Sequence, residues 1–224
     1  MQKLSVWVDP EPRDAAFSMA LDQALFEGAA VPVLRVYQWT GPCLSCGYFA
    51  AARDVQSQAQ GLPWVRRWTG GGVVPHGADW AYTLLVPRSE NLALQPPAET
   101  YRWIHARILD ALGDSARAPL GDYSLSTNVE SKARAESACF ENPVLHDLLW
   151  NGRKVGGAGQ RRTRHGLMHQ GSLQLPRNLH PRAETVARAL AEEIDTLHPQ
   201  AADIDRAETL RLQRYASQTW NLMR

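Results

Sequence analysis

Lys154 is the residue best placed for chemistry in this chain. It sits in NGRKVGGAGQ, between an Asn151-Gly152 turn and glycines at 156, 157 and 159. Only two other lysines occur, Lys3 and Lys132, in segments without comparable punctuation, and nearly all remaining positive charge is arginine. A lone ammonium beside backbone stripped of side chains suits a point charge aimed at a closely approaching group. A solvated lysine in a hairpin loop is the plainer alternative. A second constellation lies at 66–76, RRWTGGGVVPH. Arg66 and Arg67 offer guanidinium forks for phosphate or carboxylate, and Gly70, Gly71 and Gly72 let the main chain lie against a ligand and present N–H groups to an anion. No Gly-Lys-Ser/Thr follows, so this is not a P-loop; a plain β-turn would use the same glycines. His76 alone reads as a structural or surface histidine. Cys43 and Cys46 form a CxxC inside the apolar, strand-like CLSCGYF, with no further ligands at metal-like spacing. They are expected to be core thiols, and no metal site is expected.

The elements that must hold these groups follow from periodicity. Residues 4–9 read as a strand broken by Pro10 and Pro12. Asp14 then caps a helix whose apolar face is Phe17, Ala20, Leu21, Ala24 and Leu25, ending at Gly28. Strands are expected at Val33–Trp39 and, after Gly41-Pro42, up to Gly47, with a short helix over 51–60. Val65–Trp68 and Trp80–Val86 read as strands joined by the glycine-rich loop. After Pro96-Pro97, Tyr101, Ile104, Ile108, Leu109 and Leu112 share one helical face, with Gly113 to end it. Residues 114–138 read as a long surface loop. Strands are expected at Val144–Trp150, from Lys154 to Gly157 across the Asn-Gly turn, and at Gly166–Leu175. Amphipathic helices at 182–195 and 203–222 close the chain, with Glu192 and Glu193 on a solvated face.

Composition narrows the class. With 224 residues, 44% hydrophobic and 21% charged, the chain suits one globular domain, and neither repeat nor linker divides it. A net charge of +1 gives no broad pull toward nucleic acid or membrane. No apolar run is long enough to span a bilayer and no signal pattern opens the chain, so a cytoplasmic protein is expected. Three cysteines do not make a disulfide framework.

Taken together, RRWTGGGVVPH (66–76), GRKVGGAGQRR (152–162) and HQGSLQL (169–175) resemble the biotin/lipoate protein ligase superfamily, best its lipoate-protein ligase and octanoyltransferase branch. The likeness runs from the first helix to about residue 195. It implies an α/β (α+β) fold, a mixed, largely antiparallel sheet flanked by helices as in class II synthetases. The whole of 1–224 would form one catalytic domain without a C-terminal accessory domain. It implies transfer of an octanoyl or lipoyl group to one lysine of a lipoyl domain, by a monomer. Lys154 would face the acyl carbonyl. Arg66, Arg67, Thr69, Gly70, Gly71, Gly72, His76, Gly156, Gly157, Ala158, His169 and Gly171 would form the acyl and nucleotide site.

Two branches remain open. In CFENPVLHDLLWNGRK, Cys139 precedes Lys154 by fifteen residues. This resembles the cysteine-type octanoyltransferases, in which a Cys-Phe pair precedes a proline and then an acidic-Leu pair. Cys139 would then be the nucleophile, taking its acyl group from acyl carrier protein with no cofactor. His76 followed by Asp79 and Tyr82 fits that branch too. Gly72 is instead the ligase form, where those transferases usually carry Arg, and Gln170 replaces a frequent second His. An ATP-dependent lipoate-protein ligase working through lipoyl-AMP with Mg²⁺ is therefore the alternative, and a non-catalytic lipoyl- or biotinyl-binding module a third reading.

Overall fold

Asp14 does cap the first helix: its side chain accepts the Phe17 N–H at 2.9 Å, and the helix runs Ala15–Gly28 (α1). The computed structural model describes residues 1–113, 122–127 and 143–223. Cys139 and Lys132 lie outside the described residues.

The main sheet has eight strands: Lys3–Val8 (β1), Val33–Tyr37 (β2), Trp80–Pro87 (β6), Tyr123–Leu125 (β7), Leu148–Trp150 (β8), Arg153–Thr163 (β9), Gly166–Leu173 (β10) and Glu193–Thr196 (β11). Their order is β11-β1-β2-β6-β10-β9-β8-β7. The first two neighbouring pairs, β11 with β1 and β1 with β2, are parallel, and the other five are antiparallel. Cys43–Cys46 (β3), Trp64–Arg66 (β4) and Val73–His76 (β5) make a second sheet in the order β4-β3-β5.

Alternation along the strands sends side chains to two cores. Tyr82, Leu84 and Val86 of β6 pack beneath Pro97–Gly113 (α4), whose Ile104, Ile108 and Leu112 are buried, and Ala183–Leu190 (α5). Ala81 and Leu85 face the opposite way, toward α1 and Ala201–Leu210 (α6). The short helix Ala52–Ala59 (α2) covers the small sheet with Val55 and Ala59. The fold is thus the mixed, largely antiparallel sheet between helices that the sequence implied.

Several boundaries differ from expectation. The helix expected to reach 195 stops at Leu190, and Glu193–Thr196 pairs in parallel with β1. Helix-tolerant residues are recruited there by an open sheet edge, a tertiary gain that outweighs weak local propensity. The single helix expected over 203–222 ends at Leu210. A wide π-type turn, Arg211–Tyr215, follows, and then a separate short helix at Gln218–Asn221 capped by Ser217. The stretch joining β4 to β6 is not all loop, because β5 lies within it. Its Pro75 is tolerated because β5 is an edge strand. Within the expected 114–138 loop, Tyr123–Leu125 forms the sheet's last strand. The strand expected from Val144 begins only at Leu148. Among the described residues no helix is long and apolar enough to cross a membrane.

Candidate active site

The Asn151-Gly152 turn has φ of +48° and +74°, the left-handed pair that a tight β8–β9 hairpin requires. It delivers Lys154 into the protein rather than to solvent. The ammonium lies 2.8 Å from Asp147, and the two side chains are 2% and 0% exposed. The solvated-hairpin alternative therefore fails. Asp147 is gripped from two further sides: Tyr101 Oη donates to Oδ1 at 2.6 Å and the Val144 N–H to Oδ2 at 2.7 Å. A buried carboxylate with three such partners fixes the lysine opposite it. Gly157 provides the space. A Cβ there would lie 2.9 Å from Lys154 Cε, 3.1 Å from Nζ and 3.2 Å from Asp147 Oδ1.

Gly157, Ala158 and Gly171 also line a cleft of roughly 410 Å³, partly open to solvent, walled by Tyr37, Trp39 and Val74, with Arg67 and His76. Several of its polar groups bond one another in a chain, while Trp39 Nε1 is buried without a partner among the described residues. Asp79 bonds His76 Nδ1 at 2.8 Å, His76 Nε2 meets Ser45 Oγ at 2.7 Å, and Ser45 Oγ accepts from Arg67 Nη1 at 3.0 Å. Burial alone would raise the Asp79 pKa, but hydrogen bonds from His76, Ser172 and the Gly77 N–H hold it below the usual carboxylate value. The order Ser-His-Asp is that of a hydrolase nucleophile, yet here the serine hydroxyl is clamped by Arg67 and 97% covered. Because its members come from β3, β5, β10 and the approach to β6, the chain straps the small sheet to the large one. With most of its hydrogen bonds used internally, this wall suits a largely apolar guest.

The other predicted residues lie elsewhere. Arg66 is fully buried and donates to the carbonyls of Gly47, Tyr48, Ala50, Trp220 and Asn221. It holds the C-terminal segment, and Trp220 Nε1 donates back to its own carbonyl at 2.8 Å. The carbonyls of Gly70 and Gly72 accept from Arg67 Nη2 at 2.9 and 3.0 Å, and Gly71 packs against that guanidinium. Thr69 is buried and donates to Gln170, whose amide reaches Asp22 of α1 at 2.7 Å. Gly156 faces Leu148 and Leu173 in the core. His169 sits on the far side of β10 between Tyr82 and Gln160, and burial pushes its pKa well down. Arg67, His76, Gly157, Ala158 and Gly171 thus share one cleft, and Lys154 packs against its Gly157. Asp147 and Tyr101 were not singled out from sequence as site residues; the acidic-Leu pair, Asp147-Leu148, was the signal available for the first. Cys43 and Cys46 are buried thiols, with Cys43 pushed up to about 12 by burial. Among the described residues no three His, Cys, Asp or Glu side chains converge as a metal site.

Comparison with known proteins gives a consistent result. The sequence matches the lipoyl protein ligase A/B catalytic domain over residues 14–222. Octanoyltransferase LipM of Oceanobacillus iheyensis is 31% identical over 195 residues, covering 80% of this chain and 67% of that protein. LipM of Lysinibacillus sphaericus is 33% identical over 171 residues, covering 71% and 62%. The chain therefore spans about two thirds of these relatives' own length. Among solved structures, the T. acidophilum protein Ta0514 with bound lipoic acid superimposes with a TM-score of 0.73. That alignment covers 99% of this chain and 98% of the other at 16% identity, a likeness of fold.

Proposed function

We propose an acyl-transfer role for this chain, which belongs to the lipoyl protein ligase A/B catalytic domain family: it moves an octanoyl group onto one lysine of a lipoyl domain. The observation that carries the proposal is the buried Lys154–Asp147 pair packed against Gly157, a floor residue of the aromatic-walled cleft. The curated relatives, octanoyltransferases by name, support the same chemistry.

In this reading an acyl chain lies against Trp39, Val74 and the Gly157–Gly159 backbone, with its carbonyl toward Lys154. The donor is octanoyl-acyl carrier protein. The Cys139 thiolate attacks the donor's thioester carbonyl, the carbon–sulfur bond to the carrier breaks, the carrier leaves as a thiolate that takes a proton from solvent, and octanoyl-Cys139 forms. The lipoyl-domain amine then attacks that thioester, loses a proton, and releases the Cys139 thiolate. Both additions place negative charge on the carbonyl oxygen, and a desolvated ammonium already fixed by Asp147 stabilises it without reorganisation. Gly72 favours a second reading, an ATP- and Mg²⁺-dependent lipoate ligase. Assaying an apo lipoyl domain with octanoyl-carrier protein, and separately with free lipoate plus ATP and Mg²⁺, separates the two. Transfer from the carrier without nucleotide is expected. Modification only from free lipoate with ATP would replace this reading with the ligase.

A further inference from the structure

Tyr101 stands on α4, far in sequence from the strand that bears Lys154, yet its hydroxyl makes two bonds that meet the site. It donates to Asp147 Oδ1 at 2.6 Å and accepts the Ala158 N–H at 3.0 Å. Ala158 follows Gly157 on β9 and lines the cleft. One hydroxyl therefore ties the carboxylate that holds the lysine to the strand that floors the pocket. We propose that Tyr101 is a positioning residue for the transfer reaction, acting through Asp147 to fix the Lys154 ammonium; this rests on the acyl-transfer reading above.

The geometry favours a specific role over filling. The tyrosine ring has its own packing, against His105 with centroids 4.1 Å apart and against His169 at 5.7 Å. A phenylalanine would keep both contacts. What it would lose is a short, charge-assisted bond to a carboxylate with no solvent exposure. With Oδ1 released, Asp147 keeps, among its described bonds, those with Lys154 and the Val144 N–H, both on Oδ2, and neither stops it turning. Burial and the nearby Asp147 charge both raise the phenol pKa, which keeps the donor proton in place at every working pH. Tyr101 is absent from the cleft lining, so it acts on turnover and not on substrate capture.

The test compares Tyr101→Phe, Asp147→Asn and the double variant in octanoyl transfer, with kcat and KM separated. The chain's three lysines also permit direct observation, by NMR of ¹³C-labelled lysine side chains. In Tyr101→Phe, kcat is expected to fall about tenfold with KM within about twofold. The Lys154 ε-carbon resonance should move while that of Lys3 stays. Added to Asp147→Asn, the same change should cost less than about twofold, because the pathway through the carboxylate is already cut. A lower Tm with kcat of the folded fraction and the Lys154 resonance unchanged would overturn the proposal, as would additive losses. A moved resonance in a protein that transfers no octanoyl group would retain the positioning and overturn the acyl-transfer reading instead.

Discussion

Gly157→Ala isolates the Lys154 geometry from the fold. The new Cβ would sit 2.9 Å from Lys154 Cε and 3.1 Å from Nζ, with Asp147 Oδ1 at 3.2 Å. Relaxed carbon contacts lie near 3.5–4.0 Å, so the end of the lysine must withdraw by roughly 0.6–1 Å. Its neighbours in the clash are side-chain ends, not backbone, so the strand can stay where it is. A misplacement on the order of 1 Å at a reacting centre costs up to about a hundredfold. Octanoyl transfer to an apo lipoyl domain should therefore fall about tenfold to a hundredfold in kcat, with Tm lowered by less than about 4 °C. Two neighbouring glycines serve as controls because their obstacles differ. At Gly159 a Cβ would stand 2.3 Å from the Gly70 carbonyl oxygen, and at Gly156 2.6 Å from Leu173 Cδ2. Those alanines should instead lower Tm, by about 5 °C or more, through backbone displacement and core overpacking. Wild-type turnover in Gly157→Ala, measured beside these controls, would refute the argument that this glycine exists to seat the ammonium.

Lys154→Ala should reduce turnover by at least about a hundredfold, since it removes the charge opposite the developing oxyanion; transfer assays at saturating carrier check it. Arg66→Met should lower Tm on the order of 10 °C, because five carbonyls lose the charged donor they share. Calorimetry measures that, and an unchanged Tm would remove Arg66 as the anchor of the C-terminal segment. Stability should also depend on pH through His105. Burial holds its pKa down at about 4, against the opposing His146 carbonyl and Asp147 charge. The unfolded chain, with an ordinary imidazole near 6.5, then takes up the proton first. The stabilisation is whole above about pH 6.5 and is lost as pH falls, by about 2 kcal/mol between 6.5 and 5. Urea unfolding across that range should show the slope, and His105→Gln should lessen it, leaving the share of the equally buried His169; equal slopes would show that His105 does not titrate on unfolding.

Much of this was legible in the sequence, and the exceptions share a cause. Asp14, the apolar faces of α1 and α4, and the Asn151-Gly152 turn are local signals, and each set its element where expected. β11 and β5 were not legible, because both exist only by pairing with strands distant in the chain. The same holds in the site. Lys154 stood out by scarcity and by its glycines. Its partner Asp147, and Tyr101 that bonds Asp147, arrive from a loop and from α4, and nothing local marks a tyrosine on a helix face as facing a carboxylate. Arg66 and Arg67 look equivalent as neighbours, yet strand alternation sends one to the C-terminal segment and the other to the cleft. Only the tertiary arrangement separates them.

The central claim is covalent transfer assisted by Lys154, and intact-mass analysis of the protein after incubation with octanoyl-carrier protein, without ATP, tests it most directly. The account predicts a mass gain of one octanoyl group, located at Cys139 by peptide mapping, absent in Cys139→Ser and slowed in Lys154→Ala. No adduct, together with full activity in Cys139→Ser, would contradict it.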